Sequence, residues 1–207
     1  YMIGFEGLAA DWYWMQSLQY IGNKVLKTGL NNLNIEDLTT LNPRLLHPYL
    51  ESAVILDPKF TAVYSYGAIV LPAVDKRKAI EIVELGIREN PNEWRLYQHL
   101  GYIHWRLKNF EKASEVYETG SKIAGSPSFM KMMAAQMKTK GGSPETAREM
   151  YEQMLAEADD SKTKEIAELR LLELDSFAER EAIQDALDSF TSRNGRCPGA
   201  FAEIFPL

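Results

Sequence analysis

The sequence has little of what defines several large classes of protein. Cys197 is its only cysteine, so no disulfide can form within the chain and a small disulfide-stapled scaffold is excluded. A reducing compartment and a cysteine-poor exported domain both fit this single cysteine. No run of apolar residues approaches the roughly 18 that a bilayer-spanning helix requires. The 207 residues are still enough to bury a hydrophobic core that needs no disulfides.

Motifs for catalysis, phosphate binding and metal binding are also missing. The chain has no glycine-rich phosphate loop, no His-Glu-x-x-His pair, no paired cysteines and no serine flanked by glycines as in a nucleophile elbow. His99 and His104 are five residues apart, which puts them about 140° apart on a helix and prevents them from sharing a metal. We therefore predict no catalytic residue, no cofactor and no metal ion.

Positive charge is scarce as well. Lys and Arg number 23 against 29 Asp and Glu, which gives a net charge of −6. Only residues 58–127 are basic, with ten Lys and Arg against eight Asp and Glu. This small excess lacks the clustered basic footprint that a phosphate backbone demands, so nucleic acid is not an expected partner.

A repeat of 34 residues is the strongest pattern in the chain. The residues that recur at this interval are Gly67 and Gly101; Ala79, Ala113 and Ala147; Gly86 and Gly120; and Val83, Tyr117 and Tyr151. Apolar residues at helical spacing between them indicate two short amphipathic helices in each unit, with the small residues where two helix backbones approach closely. One such pair cannot bury its apolar face alone. The pattern therefore predicts an all-α protein whose helix pairs stack into a solenoid.

The repeat divides the single predicted solenoid, residues 1–207, into segments. These are a divergent first repeat with a loop insertion at 1–58, three recognisable repeats at 60–159, a capping helix pair at 160–192 and a tail at 193–207. The helices expected at the two ends are 8–21 and 43–58 in the first repeat, and 164–177 and 179–192 in the cap. Gly22 and the asparagines after it favour a loop over 22–40, with a helical turn at 35–38 as an alternative within it.

The middle unit resembles the tetratricopeptide repeat. The matching residues are Leu100-Gly101, Phe110, Ala113, Tyr117 and Gly120, with Pro91 closing the unit before them. The resemblance implies a right-handed superhelical solenoid of about five antiparallel helix pairs. It also implies that the first helix of each pair lines a concave groove that binds a peptide or protein segment.

One subtype of this family holds the carboxylate of chaperone C-terminal tails with Lys, Asn and Arg at set groove positions. The matching positions here are Tyr64, Ala68, His99, Phe129 and Met133. The carboxylate clamp is therefore absent, and partners of that chaperone class are not expected. Arg95 or Arg106 would have to act alone on an anion.

Partner binding is predicted on the face of the first helices that lies opposite their packing face. On the helix around Gly101, the stripe with His104 packs inward, whereas Tyr102 and Arg106 project from the other side. The predicted groove residues are Tyr64, Leu71, Arg95, Gln98, His99, Tyr102, Trp105, Arg106, Phe129, Met132, Met133 and Gln136. Tyr, Trp and Arg dominate binding hot spots, so this lining suits a peptide with apolar anchors and at least one carboxylate. In the alternative, the chain's own helices or tail fill the groove.

The function predicted from these features is that of a non-enzymatic adaptor that binds a peptide or protein segment in its concave groove. The alternative is a structural or assembly subunit of a larger membrane-associated complex, held there through flat helix faces. An open groove favours the adaptor, and a groove plugged by the tail or by a neighbouring subunit favours assembly.

The first helix suggests an association with a membrane. Trp12, Tyr13 and Trp14 point about 100° apart from one another, so they cannot all be buried on one helix. Residues 8–22 resemble the start of uncharacterised bacterial repeat proteins that carry an N-terminal membrane anchor. The chain also opens with Tyr1 rather than Met. We expect an apolar stretch before Tyr1 in the natural precursor that tethers the solenoid to a membrane.

Overall fold

The computed structural model of the chain describes residues 5–29, 33–34, 36–141, 143–158 and 160–204. Every regular element within these ranges is a helix, which confirms the all-α prediction. Contacts divide the chain into two compact units, Tyr1–Gly142 and Ser143–Leu207. The stacking of all helix pairs into one solenoid stays a prediction.

Seven α-helices make up the described part of the first unit. They are α1 Glu6–Thr28, α2 Leu46–Leu56, α3 Thr61–Val70, α4 Lys76–Glu89, α5 Trp94–Arg106, α6 Phe110–Ser121 and α7 Phe129–Lys140. Each helix packs against the next along the chain, and α3 also packs against α5. Short 3-10 turns at Thr39–Leu41 and Leu71–Ala73 lie in two of the connections.

Small residues of the 34-residue pattern lie where neighbouring helices touch. A Cβ on Gly101 would be 2.8 Å from the ring of Tyr117, and a Cβ on Gly120 would be 2.6 Å from the Cβ of Tyr97. From Tyr97 to Gly101 the residue number rises along α5, while their partners fall from Gly120 to Tyr117 along α6. The two helices are therefore antiparallel. All the residues that recur at this interval are buried, including Ala113 at 0% exposure. The repeat therefore marks packed positions.

His104 is a polar residue in the core beside α6. Burial, together with the positive charge of Lys112, lowers the pKa of its imidazole below the ordinary 6.5. Its Nδ1 is buried and finds no hydrogen-bond partner among the described residues. The folded protein therefore holds the uncharged imidazole.

Acidification is expected to destabilise the protein through this histidine. As the pH falls through about 6.5, the unfolded chain binds a proton that the buried His104 imidazole does not, so stability present above this pH is lost below it. Urea midpoints at pH 7.5 and pH 5.5 measure this loss. A His104→Leu variant should show a smaller difference between the two pH values, with the remainder including His99, whose pKa burial also lowers. If the His104→Leu variant lost as much stability between the two pH values as the parent chain, the assignment of this loss to His104 would be contradicted.

The first helix is longer than the sequence suggests. Gly22 does not end it, and α1 continues to Thr28 before Gly29, at φ +79°, leaves the helical conformation. One glycine costs only about 1 kcal/mol in a helix. The residues after Gly22 offset that cost, because Val25 packs on the core and the Lys24 Nζ donates to the carbonyl of Leu41 at 2.7 Å. The predicted pairing of the first two helices is confirmed, since α1 packs on α2.

The second unit contains α8, Pro144–Glu157, packed against α9, Ser161–Asn194. The predicted capping helix pair at 160–192 is wrong, because α9 is one continuous helix of 34 residues. No glycine or proline lies within it, and Ala178, at the expected break, is a strong helix former. Gly195, at φ +65°, ends it.

The tail begins after α9 and folds into a single 3-10 turn at Phe201–Glu203. The Arg196 guanidinium pairs with the carboxylate of Glu203 at 2.9 Å. Residues 205–207 lie outside the described residues. The alternative in which the tail fills the groove therefore stays untested.

Candidate functional site

The outward face of α5 carries the residues that the helical wheel places there. Arg95, Tyr102 and Arg106 are exposed, with Tyr102 at 45%. His99 is half-buried, as are Gln98 and Trp105. The Tyr102 and Trp105 rings meet edge to face, with 5.6 Å between their centroids.

Tyr64 is not part of this face, and its prediction as a groove residue is wrong. The side chain is fully buried beneath Gly86, and its hydroxyl donates to the carbonyl of Pro58 at 3.2 Å. Tyr97 makes the same bond to Pro91 at 3.1 Å. These two Tyr–Pro pairs are 33 residues apart. The 34-residue interval is one residue too long for α3, so it misplaces Tyr64 by one helical position, or about 100° around the helix.

Leu71 is also a core residue rather than a groove residue. Only 1% of it is exposed. The helix α3 ends at Val70, and the 3-10 turn that follows, with Pro72 inside it, departs from the helical positions on which the prediction rests. The backbone N–H of Leu38 then donates to the carbonyl of Ala73 at 2.8 Å, which fixes the insertion segment against this turn.

The predicted groove residues on α7 lie at the surface, but only in part. Phe129, Met132, Met133 and Gln136 are all half-buried. The Phe129 and Trp94 rings meet edge to face at a centroid distance of 6.3 Å, which joins the beginning of α7 to the beginning of α5.

A groove of about 490 Å³ lies between α3 and α5. We call it the α3–α5 groove. Its apolar lining is Ala68, Ile69, Pro72, Ala73, Ile103 and Leu107, and its polar lining is Glu36, Lys76, His99, Tyr102 and Arg106. Burial lowers the pKa of the His99 imidazole, so this residue is uncharged at neutral pH. The groove is an apolar cleft with cationic side chains at its rim.

Arg106 organises the polar rim. One guanidinium nitrogen donates to the Tyr102 hydroxyl at 3.5 Å, and the other donates to the Glu36 carboxylate at 3.2 Å. The hydrogen bond to Glu36, followed by the one to Tyr102, raises the pKa of the guanidinium. Lys76, at the first turn of α4, makes no ion pair within the part of the chain that the structure describes. The rim can therefore hold an anionic group.

Arg95 belongs to a separate cluster at the other end of α5. Its guanidinium lies 4.6 Å from the centroid of the Trp94 ring and 3.2 Å from the Glu93 carboxylate. Arg106 is 11 residues further along the helix, a distance of about 16 Å. One carboxylate cannot bind both guanidinium groups. The predicted groove thus contains two distinct sites of positive charge.

Of the eleven residues that line the α3–α5 groove, the sequence predicts only His99, Tyr102 and Arg106, and the eight others include Glu36, Ile69, Pro72 and Lys76. Ile69, Pro72 and Lys76 line it from one side, and Glu36 reaches it from the insertion. The interval of 33 residues between Pro58 and Pro91 was the signal for the first two, because it aligns Ile69 with Tyr102 and Pro72 with Trp105. No repeat interval could have indicated Glu36.

A second groove, of about 410 Å³, is formed by α4, α5 and α6. Its lining includes two carboxylates, those of Glu84 and Glu115, and one guanidinium, that of Arg88. This lining carries one more negative than positive charge, so it does not favour an acidic segment. We call this second groove the α4–α6 groove.

The described ranges hold no group of three His, Cys, Asp or Glu placed to bind a metal ion. Among the helices in those ranges, none combines the length and the apolar character needed to cross a bilayer.

Comparison with known families and with curated proteins adds no relative to this picture. No model of a known protein family matches the chain, and no curated protein matches it closely enough to count as a relative. The interpretation of the α3–α5 groove therefore depends on its own residues and their geometry.

Proposed function

We propose that this protein is a non-enzymatic adaptor that binds an extended segment of a partner protein in the α3–α5 groove. The observation that carries the proposal is the combination, on one side of α5, of an apolar cleft with the exposed Tyr102 and Arg106. Tyr and Arg are enriched in binding hot spots, and a cleft beside them accepts an apolar anchor.

The proposal includes a tetratricopeptide-like stack of the helix pairs in the first unit, among them α3 with α4 and α5 with α6. Burial of every residue on the 34-residue pattern supports it. So does the antiparallel contact of α5 with α6 through Gly101 and Gly120. In such a stack α3 and α5 are the first helices of neighbouring pairs, which agrees with the packing between them.

The chemistry of the groove sets the kind of segment it takes. An aliphatic side chain inserts between Ile69 and Ile103, and a neighbouring carboxylate meets the guanidinium of Arg106. Lys76 adds a second positive charge at the rim. The partner segment is therefore apolar and acidic, and it binds without any change in the α-helices.

A peptide-mapping experiment tests the proposal. The intact natural protein is used to capture partners, and the partner segment is then narrowed to a synthetic peptide of about ten residues. We expect the peptide alone to bind with one-to-one stoichiometry and to contain an acidic residue close to an apolar one. Binding that requires the whole folded partner would contradict a peptide groove.

A second candidate function is that of an assembly subunit. A stripe along α1 and its N-cap residue favours it, since Phe5, Leu8, Trp12, Met15 and Leu26 are all more than half exposed. These residues recur at helical spacing on one side of the helix. A helix face of this kind suits a flat interface in a larger complex, including one tethered to a membrane. Loss of assembly on Trp12→Ser, with peptide binding retained, would favour this function over the adaptor.

A further inference from the structure

The insertion between α1 and α2 reaches the rim of the α3–α5 groove. Glu36 is its point of contact, with a carboxylate oxygen 3.2 Å from the Arg106 guanidinium. Glu36 lies 70 residues before Arg106, so the contact brings distant parts of the chain together. The carboxylate stands where an acidic side chain of a partner would have to bind.

The insertion is anchored firmly beyond Glu36 but loosely at Glu36 itself. Leu38 is only 7% exposed, and its N–H donates to the carbonyl of Ala73 at 2.8 Å. The Glu36 side chain, in contrast, is 73% exposed. It can therefore leave the guanidinium while Leu38 stays in place.

The neighbouring acid cannot replace Glu36 in this contact. The carboxylate of Asp37 accepts hydrogen bonds from the side-chain hydroxyl and the backbone N–H of Thr39, and these bonds lower its pKa. Asp37 is thus committed to its own turn. Glu36 is the acidic group of the described insertion that pairs with Arg106.

We propose that Glu36 is an intramolecular occupant of the Arg106 site, which an acidic residue of the partner segment must displace. This inference rests on the proposed adaptor function. An acidic segment must then bring an apolar anchor as well, because its carboxylate alone only replaces the contact that Glu36 already makes. Lys76 gives the incoming acid a first point of attraction before Glu36 leaves.

The size of the effect follows from the exposure of the pair. Charges this close to water attract one another weakly, and salt screens them further. Removing the Glu36 charge should therefore tighten the binding of an acidic segment by about two- to fivefold. A neutral segment should gain nothing, because it does not use the guanidinium.

The test measures fluorescence anisotropy with labelled twelve-residue peptides. Each peptide has two leucines and one glutamate at varied spacing in a Gly-Ser frame, and each has a matched peptide with glutamine for glutamate. The full chain is compared with Glu36→Gln, with Glu36→Gln combined with Arg106→Ala, and with Tyr102→Ala combined with Arg106→Ala. Glu81→Gln is the charge-matched control, because Glu81 is an exposed acid paired with Arg77 on α4.

The proposal predicts that the glutamate peptides bind Glu36→Gln more tightly than the unaltered chain. The glutamine peptides should show no change, and neither should Glu81→Gln. The gain in affinity should disappear when Arg106 is also replaced. If Glu36→Gln binds the glutamate peptides as the unaltered chain does, while replacing Tyr102 and Arg106 weakens them, the groove function stands and the role of Glu36 is overturned. If no peptide responds to replacing Tyr102 and Arg106, the proposed function fails, and this inference fails with it.

Discussion

Replacing Gly86 with alanine is expected to lower the free energy of unfolding by about 1–3 kcal/mol. A Cβ at this position would lie 2.7 Å from Cγ and 3.1 Å from Cβ of Tyr64. These atoms are close to the backbone of α3, and Tyr64 is fully buried with its hydroxyl bonded to Pro58, so the ring cannot swing aside. The helices α3 and α4 would have to move apart.

A matched substitution gives the opposite sign. Gly22 lies within α1, and no atom lies within 4 Å of the position of its Cβ. Gly22→Ala should therefore raise the free energy of unfolding by about 0.5–1 kcal/mol, the ordinary gain for alanine in a helix. Urea unfolding measures the change in stability of both variants, and the slope of the free energy against urea concentration should stay unchanged. A Gly86→Ala variant at least as stable as the parent chain would show that α3 and α4 do not pack as described.

Replacing Tyr102 and Arg106 together with alanine is expected to weaken binding of the partner peptide at least about thirtyfold. Both side chains lie at the rim of the α3–α5 groove, where they supply an aromatic surface and a guanidinium to the same segment. Neither belongs to the buried core, so helical content and the unfolding midpoint should stay close to those of the parent chain. The double variant should therefore lose affinity for the peptide without losing stability.

The control for this double variant is Arg77→Ala combined with Thr119→Ala. Arg77 is an exposed guanidinium on α4, and Thr119 lines the α4–α6 groove. Calorimetric titration with the partner peptide should show unchanged affinity for this control. Equal weakening by both double variants would point to a general effect of charge or stability rather than to the groove.

The helical class and the central helix pair could be predicted from the sequence because they depend on local spacing. The residues of the 34-residue pattern lie on the inner faces of their helices, and Gly101 packs under Tyr117 as a close helix contact requires. Exposure of Tyr102 and Arg106 followed from the same helical wheel. These features are encoded within one or two turns of each helix.

Other features depended on information that a fixed interval does not carry. The distance from Pro58 to Pro91 is one residue shorter than the 34-residue interval, so Tyr64 lies in the core rather than in the groove. Gly22 was an unreliable helix end, because packing of Val25 outweighs the cost of one glycine. The contact of Glu36 with Arg106 joins an irregular insertion to a helix 70 residues away, and no pattern of spacing encodes it.

Site-specific photo-crosslinking tests the central claim most directly. A photoreactive phenylalanine analogue is placed at position 102, at the rim of the α3–α5 groove, and in a second protein at position 119, in the α4–α6 groove. The adaptor account predicts that the partner peptide crosslinks from position 102, near its acidic residue, and not from position 119. Crosslinking from position 119 alone would contradict it.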